Sequence, residues 1–134
     1  MAAIIGLALL AVPRVVLHDL GVLQEGTFVN AVFVFLPPLV WIGVAVWTRV
    51  PNPFLTLLTV GACYGVFLAV THQLLWGAAW GEAGPSLGGN LRDLAPGVQA
   101  VLLRGFAVVS SLFTGVVVGA LSGLVAWVAR RVLR

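Results

Sequence analysis

The stretch FLTLLTVGACYGVFLAVTHQLLW, Phe54–Trp76, decides how the rest of the chain is read. As a helix it is about 34 Å long, enough to cross a bilayer core of about 30 Å. It carries Gly61-x-x-x-Gly65 on one face. Eleven positions beyond Gly61, at about 100° per residue, His72 returns to within about 20° of that face. A glycine face that ends in an imidazole suits a helix packed against other helices, with its polar group turned inward. The stretch is read as the third of four spans and the one the others pack against.

Composition points the same way. Of 134 residues, 61% are hydrophobic and only 8% are charged, too few charges to cover a soluble domain of this length. Mean hydropathy is +1.14. At about 20 residues per span, the chain fits four helices and no further domain. The expected fold is all-α, a four-helix transmembrane bundle forming a single domain over 1–134. The spans are placed at about 2–23, 27–47, 54–77 and 97–128, with a Gly/Pro-rich loop at 81–96.

The first span is the hardest to place. Ala2–Val12 reaches only about 17 Å, whereas continuation to Leu23 reaches about 33 Å and encloses Arg14. A kinked or tilted helix is expected there, with Pro13 at the break; the alternative is a re-entrant or interfacial segment. No basic segment precedes Ala2–Val12, which argues against a secretory leader. In the second span Thr27 is a candidate N-cap, and Pro37-Pro38 predicts a kink. Trp41 or Trp47, Trp76, Trp80 and Trp127 are placed as interfacial anchors.

Charge sets orientation. Arg49, Arg130, Arg131 and Arg134 share one side of a four-span chain, and Asp19, Glu25, Glu82 and Asp93 share the other with Arg92. The arginine side is expected to be cytoplasmic, with both termini on it. The sequence pI of 10.6 therefore suggests anionic headgroups and not nucleic acid. Arginine without lysine, with abundant Ala, Val and Gly, points to a GC-rich bacterial source and an inner-membrane, multi-pass protein.

The fourth span carries a stripe of small residues, Ala107, Ser111, Gly115, Gly119 and Gly123, at steps of four. Gly61 and Gly65 supply a shorter stripe on the third. In lipid, close backbone contact over small residues is what holds helices together. The stripe serves either packing within the chain or an interface with a second copy or another membrane protein.

On the same faces, Arg14, His18, Asn30, His72 and Arg104 are expected to converge at one level of the bundle. Asp19, Glu25, Gln73 and Gln99 lie near the mouth. Two arginines at similar depth repel unless an anion or carboxylate separates them. The expected function is binding or passing a polar or anionic solute, or a lipid headgroup, at an outward-facing pocket. Two bland alternatives stand beside it: arginines that snorkel to Asp19, Glu25 or Asp93, and a structural or accessory subunit assembling through the small-residue face. A bis-histidine haem on His18 and His72 is the third reading; without it the histidines are hydrogen-bonded core residues or proton carriers.

Enzymatic signatures are lacking. Cys63 is a lone mid-span thiol with no metal-ligand spacing, and the segment 84–90, GPSLGGN, precedes no P-loop lysine. No catalytic residue, metal ligand or nucleic-acid contact is assigned.

Overall fold

The computed structural model describes residues 1–81 and 84–133. Glu82 and Arg134, both counted in the charge argument, lie outside the described residues. The chain is all-helical, with no strand among the described residues. Its elements are α1 (Ala2–Leu9), α2 (Val12–Asp19), α3 (Phe28–Trp47), α4 (Pro53–Leu74), α5 (Trp76–Trp80) and α6 (Pro96–Val132), with a short 3₁₀ turn at Gly89–Leu91. Four helices, taking α1 and α2 together, are long and apolar enough to span a membrane.

The first of these is broken at Leu10–Ala11. Pro13 cannot donate, and the chain tightens before it: Leu10 N–H bonds Leu7 O at 3.2 Å and Ala11 N–H bonds Ala8 O at 3.3 Å. In a regular α-helix Leu7 O would accept from Ala11. Here it accepts from Leu10 N–H and, in place of Ala11, from the Trp41 indole Nε1–H at 2.7 Å. Trp41 is fully buried and meets Tyr64 edge-on, with ring centroids 6.0 Å apart. Of the two candidate anchors on α3, Trp47 is exposed and Trp41 is the centre of the core. The break in the first helix leaves Leu7 O room for a second donor, and the buried Trp41 indole supplies it.

Helix ends follow local chemistry. Thr27 Oγ1 accepts from Asn30 N–H at 3.2 Å and caps α3. Asn52 Oδ1 accepts from Leu55 N–H at 3.0 Å, and Pro53 occupies the first helical position of α4, where its missing donor is harmless. Gly21, at φ 70°, closes α2: its N–H bonds His18 O at 2.9 Å and Val22 N–H bonds Leu17 O at 2.9 Å. This six-to-one, five-to-two pattern needs a left-handed residue, which glycine supplies without strain.

The main packing surface joins α4 to α6. A Cβ on Gly61 would lie 2.5 Å from Gly119 Cα, and one on Gly115 would lie 2.5 Å from Gly65 Cα. Further along, one on Gly123 would lie 2.8 Å from Phe54 O. Backbone therefore touches backbone along two helices, a separation only glycine permits. Ser111, Gly115, Gly119 and Gly123 are all buried against α4 of the same chain. Leu57, Val60, Val15 and Ala8 fill the space between α4 and the broken first helix.

The helices run alternately up and down, so the bundle has two chemically distinct ends. One gathers Asp19, Glu25 and His72; the other gathers Arg49, Arg130 and Arg131. The outward faces are apolar: Phe28, Phe35, Phe106 and Phe113 are all exposed.

Candidate functional site

At the acidic end the polar side chains sort into three groups. The first is a chain of alternating carboxylates and imidazoles. Gly21 ends α2 one turn after His18, which leaves Asp19 in the last turn, facing inward. Its carboxylate is 3% exposed. His72 Nδ1, in the last turn of α4, lies 2.7 Å from Asp19 Oδ2. His18 Nδ1 lies 3.4 Å from Asp19 Oδ1, and His18 Nε2 lies 3.3 Å from Glu25 Oε1. Glu25 is exposed, so the row runs from solvent through His18 to a buried carboxylate and on to α4. A carboxylate at a helix C-terminus opposes the macrodipole, and the two imidazoles offset that. An ionised carboxylate only accepts, so its bond to His72 sets which ring nitrogen carries hydrogen.

The second group surrounds Arg14. Its Nε–H donates to Asn30 Oδ1 at 3.1 Å, joining α2 to α3. No ion pair involves Arg14 among the described residues. Arg14 lines a cavity of about 110 Å³ with Phe33, Val34, Pro38, Tyr64 and Thr114. The walls come from α2, α3, α4 and α6. Pro37 and Pro38 deprive the carbonyls of Phe33 and Val34 of their helical donors, and both residues line this cavity. Arg14, Tyr64 and Thr114 bring polar groups to a cavity whose lining is otherwise mostly apolar. Its volume is enough for several water molecules or a small solute.

The third group holds Arg104. Its Nη1–H donates to Gln73 Oε1 at 3.1 Å, and its guanidinium lies 4.8 Å from the Trp76 ring centroid. Arg104 is exposed. It does not join Arg14: it is held against Gln73, in the last turn of α4, and Trp76. Arg14, His72 and Arg104 line three different cavities.

The five residues expected to converge are thus brought together in part: Arg14 with Asn30, and His18 with His72 through Asp19. Gln99 does not stand at a mouth. Its amide pins the loop, accepting from Leu87 N–H at 2.9 Å and donating to Leu94 O at 2.8 Å. Among the described residues no three His, Cys, Asp or Glu side chains are arranged to hold a metal ion.

No known protein family, curated protein or solved structure matches this chain. The site is therefore read from its own chemistry.

Sequence reasoning missed Asp19 as the hub, and missed Tyr64 and Thr114 altogether. For Asp19 a signal existed: Gly21 is a helix stop, and a carboxylate in the last turn needs a cation beside it. Tyr64 had a weaker one, lying three positions from Gly61 on the packing side of the helix. Thr114 had none, since nothing in the sequence says which helix its hydroxyl meets.

Proposed function

We propose that this chain is a multi-pass integral membrane protein that binds or passes a small polar or anionic solute at the Arg14 cavity. The observation that carries the reading is the state of Arg14. A charged side chain in hydrocarbon costs at least about 2.5–3.5 kcal/mol, and such residues are retained at pathways and binding sites. Arg14 has a neutral partner, Asn30, and lines a partly open cavity between four helices. An anion there would supply the missing counter-charge. Tyr64 and Thr114 would add hydroxyl donors.

Membrane insertion is supported by the exposed phenylalanines and by the four apolar helices. The arginines at one end favour placing it, and both termini, in the cytoplasm. The histidine–carboxylate row then opens outward and is the natural route for protons or water toward the interior. A haem between His18 and His72 would have to displace Asp19 from both rings, which makes it the weaker use of the same residues. An accessory subunit would need a surface other than the small-residue face of α6, which α4 covers.

The test is flux in proteoliposomes, with chloride, formate and nitrate as probes. Wild type is expected to pass at least one of them above protein-free vesicles. Arg14→Gln is expected to lower that flux about tenfold or more, the scale of one charge-assisted hydrogen bond. A folded Arg14→Gln protein that matches wild type for every probe would sink the proposal.

A further inference from the structure

We infer that the arginine end of the bundle carries a built cleft for a phosphate anion, presented by an anionic lipid headgroup or free in solution. This rests on the membrane reading above but not on the Arg14 cavity.

Val46, Trp47, Arg49, Arg130 and Leu133 enclose a cleft of about 730 Å³, within the size range of ligand sites. It lies between the end of α3, the following turn and the end of α6. Among the described residues, two arginines line it and no acidic side chain does. The described acids that could neutralise them, Asp19, Glu25 and Asp93, belong to the other end of the bundle. Two like charges facing one cleft repel each other, and an anion between them reverses the sign. Guanidinium forks match phosphate oxygens in charge and geometry.

The backbone at Arg49 is the second observation. Arg49 N–H bonds Val46 O at 3.3 Å and Val50 N–H bonds Ala45 O at 3.4 Å. This is the same helix-ending pattern that Gly21 makes after α2. Here the left-handed position, φ 51°, is held by arginine. A non-glycine residue there is strained, and such strain persists where a side chain is needed at that spot. Arg49 is the only positive-φ residue other than glycine among the described residues. Its neighbour across the cleft is fixed too: Arg130 Nη1–H donates to Val50 O, which ties α6 to this turn. A guanidinium has five N–H groups, so one bond leaves donors for a ligand.

Trp47 adds the lipid argument. It is 88% exposed, and an exposed indole at the end of an apolar helix suits the headgroup level. Val46 and Leu133 give the cleft an apolar flank for an acyl chain. Arg131 supplies a control within the same end of the molecule. It stacks over Trp127 at 3.9 Å and does not line the cleft.

The experiment is native mass spectrometry of the full chain from mild detergent, titrated with phosphatidylglycerol, phosphatidylcholine and inorganic phosphate. Wild type is expected to retain phosphatidylglycerol in preference to phosphatidylcholine. Arg49→Gln and Arg130→Gln are each expected to weaken that retention about fivefold, and Arg131→Gln to leave it unchanged. Phosphatidylglycerol that resists displacement by inorganic phosphate identifies the lipid as the source. Displacement by phosphate, with the same dependence on Arg49, identifies the free anion. Equal loss in all three variants would mean diffuse charge and would overturn the cleft, as would the absence of any preference for the anionic lipid and of phosphate binding. Should Arg130→Gln fail to fold, Arg49→Gln, on an exposed turn, decides the matter alone.

Discussion

Asp19 shows how much one residue's role depends on its partners. On the sequence it is an acid at the end of a doubtful span, one step from His18. In the structure it is a buried carboxylate shared by imidazoles from two helices. Asp19→Ala removes the acceptor of His72 Nδ1; His72 is 31% exposed and can turn to water, so the expected loss is about 0.5–1.5 kcal/mol, the net worth of one hydrogen bond. Asp19→Asn retains an amide oxygen and is expected to lose less than half of that. Thermal unfolding in one detergent compares the three proteins. An alanine variant as stable as wild type would show that the row contributes nothing to the fold. The contact with His18 was legible at the level of adjacency. The contact with His72, fifty-three positions away, was not, because no local rule pairs the ends of two helices.

At the scale of elements, the glycines inside the helices divide into two kinds. Gly61 and Gly115 face backbone across the α4–α6 contact, and a methyl group there meets atoms that cannot rotate away. Gly61→Ala must therefore spread the helices, at about 1–3 kcal/mol, the scale of overpacking. Gly43 and Gly105 have nothing within 4 Å of an added Cβ. Alanine at either is expected to be neutral or to stabilise by up to about 1 kcal/mol, because the helix backbone then has less entropy to lose. Unfolding midpoints for the four single variants test the contrast. Equal effects in both pairs would refute the packing described for α4 and α6. The stripe itself was readable, since its step of four needs only helical geometry. Its partner was not, and neither was the contact that sets Arg104 against Gln73 and not beside Arg14.

For the whole molecule, the division of charge predicts an orientation. With Cys63→Ala as background, Ser86→Cys in the loop is expected to react with a membrane-impermeant maleimide on intact cells. Thr48→Cys at the arginine end is expected to react only after the membrane is opened. The reverse pattern would invert the topology and move the phosphate cleft to the outer leaflet. The sequence by itself determined the all-helical class and the approximate positions of four apolar helices. It also determined the cap at Thr27 and the faces that carry small residues. These follow from hydropathy, from 3.6-residue periodicity and from bonds that span four residues or fewer. Only the tertiary structure decided that Trp41 serves the break in the first helix, that Arg14 bonds Asn30 beside a cavity, and that Asp19 lies between two histidines. Those pairings depend on how far each helix extends, how it is rotated and where a proline frees a carbonyl. Each is a property of several helices packed together, which no single stretch of sequence contains.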